Sequence, residues 1–171
     1  DGFTGERAYT NIDKLPFLYH VDFSADKTDS KKNALAPFLN RILYYESQRG
    51  CPFQCAYCLS AIDKTVRLRD INTVKSELQY FLDCNVPQVK FIDRTFNCNQ
   101  THAVSIWQYL LENDNNITNF HFEIAAGLLT PKQIRLLRNM RPGFIQLEIG
   151  VQSTNQTTLK AINRHTNIET L

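Results

Sequence analysis

Three closely spaced cysteines constrain this chain more than any other feature. Cys51, Cys55 and Cys58 follow a C-x3-C-x2-C spacing, which places three sulfurs within one short loop. A disulfide uses only two sulfurs, and a structural zinc site is closed by four ligands. An iron–sulfur cube held by three thiolates keeps one iron without a protein ligand, and that iron can bind a small molecule. The spacing therefore favours an iron–sulfur site, with a zinc site that takes a fourth ligand elsewhere as the alternative.

The remaining cysteines and the charge pattern narrow the class of protein. Cys98 is the candidate fourth ligand of a zinc site, and Cys84 is predicted to be a core residue at a helix end. The basic run Lys64, Arg67 and Arg69 is interpreted as a solvated loop, and a net charge of +2 is too small to indicate a nucleic-acid partner. The five cysteines, an odd number with three clustered, favour metal ligation in a reducing compartment.

No segment is typical of a membrane protein or a secreted one. Apolar runs fall short of the roughly 20 residues that a membrane span needs, and the chain does not start with a charged and then apolar leader. We therefore expect a cytoplasmic protein without a membrane partner.

From residue 42 onward, strand-like and helix-like segments alternate. Strands are predicted at 42–45, 89–93, 120–124 and 144–150, and helices at 73–84, at 101–112, from 131 and from about 153. Strict alternation implies a parallel sheet with right-handed crossovers, and four such units are half of an eight-unit barrel. The predicted fold class is α/β, a parallel partial TIM-like barrel of about four βα units.

Two of these helices have predicted start signals. Thr130 with Gln133 makes a capping box, and Pro131 occupies the first helical position. Ser153 and Gln156 repeat the capping-box spacing, which predicts a second helix start.

Polar side chains are predicted where the strands end. In parallel α/β folds the chemistry lies at the carboxyl ends of the strands. Asp93, Glu123 and Glu148 lie in or at the ends of the second, third and fourth predicted strands, and Gln152 follows soon after. The cysteine loop follows the first strand, so these side chains are expected near it.

The cysteine loop, with Tyr57 directly before its last cysteine, resembles that of the radical S-adenosylmethionine (SAM) superfamily. The flanking segments resemble the branch of that superfamily with an N-terminal cobalamin (B12)-binding domain; they are 44–50, 91–97, 120–124 and 148–153. The piece Leu15-Pro16-Phe17 resembles the junction that follows such a domain. The resemblance extends over nearly the whole chain.

The resemblance also implies a domain organisation. Residues 1–40 would be a linker or arm after a cobalamin-binding domain that this chain lacks. Residues 41–171 would be the N-terminal part of a radical SAM barrel, truncated relative to the usual six βα units. We therefore expect this piece alone to be inactive and the full-length protein to be the enzyme.

The implied chemistry is reductive cleavage of SAM at a [4Fe–4S] cluster ligated by Cys51, Cys55 and Cys58. The fourth iron would bind the amino and carboxylate groups of SAM, and a 5′-deoxyadenosyl radical would abstract hydrogen from a small-molecule substrate. The electron donor would be a protein such as flavodoxin or ferredoxin, and cobalamin would bind in the full-length protein only. The substrate is not predicted, although relatives of this type include coproporphyrinogen oxidases and porphyrin cyclases.

The resemblance assigns cofactor-binding roles to five residues. Asp93 would meet the amino group of SAM, Glu123 would lie near the cofactor, Gln152 would bond the ribose, Arg164 would meet the methionine carboxylate, and Tyr57 would stack on the adenine. Structural alternatives are a turn cap for Asp93, an ion pair to an arginine such as Arg94 for Glu123, and barrel packing for Tyr57.

Two other functions are compatible with the cysteines. One is an iron–sulfur electron-transfer or metal-binding module that does not cleave SAM. The other is a zinc-binding interaction module. Gln152, Arg164 and the carboxylates at the strand ends favour the SAM enzyme, because an electron carrier would not need them.

Overall fold

A parallel sheet with helices on one of its faces forms the body of the molecule. The computed structural model describes residues 8–19 and 40–168. Its strands are β1 (Leu43–Tyr45), β2 (Gln48–Arg49), β3 (Arg67–Leu68), β4 (Gln88–Phe91), β5 (Asn119–Ile124) and β6 (Ile145–Ile149). The four-stranded sheet has the order β1-β4-β5-β6 with every pair parallel, which confirms the predicted α/β fold of four βα units.

Four α-helices follow the strands of this sheet. They are α1 (Ile71–Asp83), α2 (Gln100–Glu112), α3 (Pro131–Arg138) and α4 (Gln156–Ala161). The predicted capping box at α3 is confirmed, since the side chains of Thr130 and Gln133 each accept from the other's backbone N–H. The predicted helix start at Ser153 is wrong. Asn155 caps α4 by accepting from the N–H of Thr158, and the hydroxyl of Ser153 accepts from the N–H of Asn155 instead.

The two faces of the sheet differ in chemistry because side chains alternate along a strand. On the helix side, Phe91 and Phe122 stack with ring centroids 4.3 Å apart, and Trp107 of α2 meets the Phe122 ring edge-on at 5.9 Å. These aromatic residues have no exposed surface, so they supply much of the hydrophobic stabilisation. The other face carries Lys90, Glu123 and other polar side chains, which form ion pairs across the strands.

A second, antiparallel sheet of β2 and β3 brackets the cysteine loop, and sequence patterns did not predict it. The interpretation of the basic run as a solvated loop is wrong for two of its members. Arg69 is buried and pairs with Glu77 at 2.8 Å, and Arg67 pairs with Asp63. These ion pairs hold β3 against α1 and against the end of the cysteine loop.

Part of the predicted N-terminal arm packs on this body. Phe17 and Tyr19 contact the ring of Phe81 edge-on, each with centroids 5.3 Å apart. The hydroxyl of Tyr19 donates to the carbonyl of Tyr44 and accepts from its N–H. The rest of the predicted linker, residues 1–7 and 20–39, lies outside the described residues, so the boundary at residue 40 stays a prediction. Among the described helices, none has the length and apolarity for crossing a membrane.

Candidate functional site

The cysteine loop starts from a backbone turn that only glycine allows. Gly50 has φ +96°, and a Cβ built on it would lie 2.3 Å from the carbonyl oxygen of Thr65. The next residue, Cys51, donates its N–H to the carbonyl of Asp63 over 3.0 Å. The loop is therefore closed at its base by backbone contacts, which places Cys51 before any ligand binds.

The three cysteines carry free thiols. Cys51 and Cys55 are buried and Cys58 is half-buried, and the N–H of Cys58 donates to the carbonyl of Cys55 in a tight turn. Within residues 8–19 and 40–168, no three His, Cys, Asp or Glu side chains are arranged around a point where one metal ion would bind. Although the three thiols do not converge on one point, their chemistry is the donor set of an iron–sulfur cluster, and in this respect the residues present fit that group.

The chain after α4 is fastened to the cysteine loop. Ala56 donates its N–H to the carbonyl of Ile162 over 2.9 Å, and the amide of Asn163 donates to the carbonyl of Gln54 over 2.8 Å. Residues 109 positions apart in sequence therefore form one rim.

Arg164 extends from this rim into the site. Its Nη1 donates to Sγ of Cys55 over 3.8 Å, and its Nη2 donates to the carbonyl of Gly150 over 2.7 Å. Its Nε is buried without a protein partner. Arg164 therefore places a positive charge beside one of the three thiols.

Tyr57 and Gln152 lie around the same arginine. The Tyr57 side chain is 51% exposed, and its pKa is raised first by burial and then by the adjacent Cys55. Gln152 is exposed and adopts φ +68°, and its Nε2 lies 2.6 Å from the position that a Cβ on Gly150 would take. The structure thus places Tyr57 and Arg164 at Cys55 and the Gln152 amide beside Gly150, which Arg164 also contacts. The roles of these residues toward a cofactor stay predictions.

A cleft of about 1000 Å³ opens beside this group. It lies between the cysteine loop, the ends of β5 and β6, and the segment from α4 onward. Its lining includes Phe53, Gly127, Ile149, Leu159 and Arg164. Cavities of this order bind small molecules the size of a nucleoside.

The structure does not bring Asp93 to this cleft. Asp93 is 0% exposed, and its carboxylate accepts from the N–H of Ser47 (2.8 Å), the hydroxyl of Ser47 (2.5 Å) and the N–H of Gln48 (3.1 Å). Burial raises its pKa to about 7, although these hydrogen bonds act in the opposite direction. The predicted contact with the amino group of SAM stays a prediction, and the described contacts of Asp93 are all with the protein.

Glu123 lies on the open face of the sheet and not in the helix-side core. Its ion-pair partner is Lys90, with Nζ and Oε1 3.5 Å apart, so the predicted alternative of an ion pair to Arg94 is wrong about the partner. Glu148 contacts the same Lys90 at 3.1 Å and His121 at 3.1 Å. The hydrogen bond to Lys90 lowers the pKa of Glu148 and raises that of Lys90.

Sequence reasoning missed the polar residues that connect the strand ends. The amide of Gln48 donates to the carbonyl of Thr95 over 2.8 Å, and the hydroxyl of Thr95 lies 3.5 Å from Sγ of Cys51. The side chain of Asn97 exchanges two hydrogen bonds of 2.9 Å with the backbone of Ala125. The signal that could have revealed them is that Thr95 and Asn97 are short polar residues soon after the buried strand β4.

Comparisons with known proteins agree with the fold. Residues 45–171 match the family model of the radical SAM superfamily. No curated protein matches the chain.

Two similar solved structures are of the radical S-adenosylmethionine methyltransferase TsrM from Kitasatospora setae. The one with cobalamin and a [4Fe–4S] cluster bound is 14% identical with a TM-score of 0.65, over 76% of this chain and 25% of that chain. The one with tryptophan substrate and a SAM analog (aza-SAM) is 14% identical with a TM-score of 0.64, over 75% and 26%. This chain spans about a quarter of the length of those proteins, and the likeness shows a shared fold.

Proposed function

This chain belongs to the radical SAM superfamily, and from that premise we propose that it carries the cluster-binding part of an enzyme that cleaves SAM reductively. Cys51, Cys55 and Cys58 would hold a [4Fe–4S] cluster and leave one iron to the amino and carboxylate groups of SAM. When bound, the cluster supplies the electron that splits SAM into methionine and a 5′-deoxyadenosyl radical, which takes hydrogen from the substrate.

One observation carries the proposal. Arg164 touches both Cys55 and the carbonyl of Gly150, and it lines a cleft of about 1000 Å³ that is large enough for a nucleoside. An electron-transfer module needs thiolates and shielding, but it has no use for a guanidinium and a cleft beside the cluster loop. A SAM enzyme uses both, because its cofactor has a carboxylate and a nucleoside.

The residues around the cleft suit the parts of SAM. Arg164 keeps an unused Nε donor, and a guanidinium is suited to bonding a carboxylate with two donors. Gln152, exposed and adjacent to Arg164, would bond the ribose hydroxyls. Tyr57 offers a half-exposed ring for stacking on the adenine. Glu123 would approach from the open face of the sheet, where its carboxylate is paired with Lys90.

Apolar side chains would keep water from the reacting groups. Phe53 from the cysteine loop, Ile149 from β6 and Leu159 from α4 line the cleft. A cleft with such walls protects a reactive radical from side reactions with solvent.

The rest of the proposal concerns the full-length protein. A cobalamin-binding domain would precede residues 1–40, the linker or arm, in keeping with the fold shared with a cobalamin-bound methyltransferase. The substrate would be a small molecule, and an electron carrier such as flavodoxin or ferredoxin would reduce the cluster in the cytoplasm. Whether the outcome is hydrogen abstraction alone or methyl transfer depends on the cobalamin.

The test is formation of 5′-deoxyadenosine by the full-length protein. Protein reconstituted without oxygen is mixed with SAM and dithionite, and products are separated by chromatography. We expect 5′-deoxyadenosine from the wild type and from Cys84→Ala, whose cysteine lies in the core away from the loop, and none when Cys51, Cys55 and Cys58 are all alanine. A cluster that forms without any 5′-deoxyadenosine would favour the electron-transfer module, and zinc without iron and sulfide would favour the zinc module.

A further inference from the structure

Two residues at the entry of the cysteine loop are locked to the end of β4. Ser47 and Gln48 give both of their N–H groups to one oxygen of Asp93, at 2.8 and 3.1 Å. The hydroxyl of Ser47 donates to the other oxygen at 2.5 Å. Ser47, Gln48 and Asp93 are all essentially without exposed surface.

From these contacts we propose that Asp93 is a positioning residue of the cluster site: with Ser47 and His102 it forms a buried hydrogen-bonded set that fixes where the cysteine loop begins. The inference rests on the proposed function for what the loop binds, but the contacts themselves do not depend on it.

The direction of the Asp93 side chain follows from strand alternation. Phe91 points into the helix-side core, and Asp93 comes two residues later, so it shares the side of Phe91 and not that of Lys90. Glu123, by contrast, shares the open face with Lys90. A carboxylate on the core side is placed to bind backbone from the neighbouring strand end, since the cleft lies elsewhere.

His102 of α2 completes the set from the helix layer. Its Nε2 lies 3.3 Å from the Ser47 hydroxyl, which already donates to Asp93 and therefore accepts from His102. Burial lowers the pKa of His102, which favours the neutral ring with one N–H. Three elements thus meet at one hydroxyl: the loop after β1, the end of β4 and the first turn of α2.

A second set of contacts connects this hydrogen-bonded set to the thiol of Cys51. The buried amide of Gln48 donates to the carbonyl of Thr95, and the hydroxyl of Thr95 lies 3.5 Å from Sγ of Cys51. Gly50, between Gln48 and Cys51, packs so closely on Thr65 that no side chain fits there, since a Cβ would lie 2.3 Å from the Thr65 carbonyl oxygen. A shift at Asp93 therefore reaches Cys51 through a few rigid contacts.

Two substitutions of Asp93 separate this role from a direct contact with SAM. Asp93→Ala removes both acceptor oxygens. Asp93→Asn removes the charge but keeps the oxygen that binds the two N–H groups, and its amide nitrogen would donate to the Ser47 hydroxyl in place of the oxygen that accepts from it. Full-length protein is measured for amide hydrogen exchange of residues 47 and 48, with and without the cluster, for iron and sulfide per chain, and for SAM affinity. The matched control is Asp114→Ala, a carboxylate paired with Arg141 before β5, at the opposite end of the sheet.

We expect Asp93→Ala to speed exchange at residues 47 and 48 by about tenfold or more and to lower cluster content. Asp93→Asn should show exchange and cluster content close to those of the wild type and bind SAM within about threefold of the wild type. Asp114→Ala should change neither the exchange at residues 47 and 48 nor the cluster content. If Asp93→Ala does not fold, Asp93→Asn and Ser47→Ala decide: Ser47→Ala should speed exchange at residue 48.

Two results would overturn the inference. One is exchange at the wild-type rate in Asp93→Ala or Ser47→Ala. The other is Asp93→Asn with a wild-type loop and a SAM affinity more than about tenfold weaker, which would make Asp93 a charged contact of SAM. Failure of the proposed function looks different, because wild-type protein would then take up no cluster while exchange in the cluster-free protein still reports on Asp93.

Discussion

Arg164 donates a hydrogen bond from Nη1 to Sγ of Cys55 over 3.8 Å, although 109 residues separate the two in sequence. The same guanidinium binds the carbonyl of Gly150 at 2.7 Å, so it joins the cysteine loop between β2 and β3 to the end of β6. Segments that follow the two edge strands of the parallel sheet, β1 and β6, therefore meet at the thiols that we propose as cluster ligands.

Replacing Arg164 by lysine should weaken SAM binding about tenfold to a hundredfold. Lysine keeps the charge but lacks the planar fork, and a hydrogen bond to a charged group contributes about 1.5–3 kcal/mol. Equilibrium binding of SAM to the reconstituted protein measures the change. Arg138→Lys is the matched control, since Arg138 is exposed in the last turn of α3, and equal affinities of the two variants would contradict the role of Arg164.

Gly50→Ala should destabilise the fold by about 2 kcal/mol or more and reduce cluster uptake. The left-handed φ strains any residue other than glycine, and the new methyl group would meet the carbonyl of Thr65 at 2.3 Å. Urea unfolding, followed with iron analysis, gives both quantities. Gly127→Ala provides the comparison, because a Cβ there meets nothing within 4 Å; similar losses in both variants would show that the loop base is not rigid.

The stability of the wild type should fall as pH rises from about 4 to about 7, relative to Asp93→Asn. Burial raises the pKa of Asp93 from 3.8 to about 7, so in this window the folded state binds a proton that the unfolded state has released. The free energy of unfolding therefore decreases with pH, by an amount on the order of a few kcal/mol, and levels off above that pKa.

Urea unfolding of both proteins at a series of pH values checks this expectation. Parallel curves for the wild type and Asp93→Asn would mean that the carboxyl group does not retain its proton when folded.

Glu123→Gln should weaken SAM binding about tenfold and leave stability within about 1 kcal/mol, because its ion pair with Lys90 is partly exposed. Glu148→Gln removes a charge from the same lysine and serves as the control, with little expected effect on SAM affinity. Calorimetric titration with SAM and thermal unfolding measure the two quantities. If neither variant loses affinity for SAM, Glu123 has no role in SAM binding and only its ion pair to Lys90 remains.

The fold could be predicted because its sequence periodicities are strong and local. The strand β5 is one residue longer than the predicted strand at 120–124, and α2 is one residue longer than the predicted helix at 101–112. The pair β2–β3 could not be predicted, since two-residue strands have no period and hold their place through ion pairs such as Arg69 with Glu77.

The site could be predicted in part. The three cysteines and Arg164 come from motifs, and the structure brings Arg164 to Cys55. The burial of Asp93 could have been predicted from strand alternation, because Asp93 lies two residues after buried Phe91 and so shares its side of the sheet. The family motif instead predicted a contact with SAM at the strand end. The role of Ser47 could not be predicted, because its partners come from β4 and α2.

The central claim is a cluster held by Cys51, Cys55 and Cys58 with one iron free for SAM. Mössbauer spectra of full-length protein reconstituted with iron-57, recorded with and without SAM, test it most directly. The account predicts a [4Fe–4S] spectrum in which SAM changes one iron site and leaves the other three as they were. A spectrum that SAM does not alter, or protein that takes up no iron and sulfide, would contradict it.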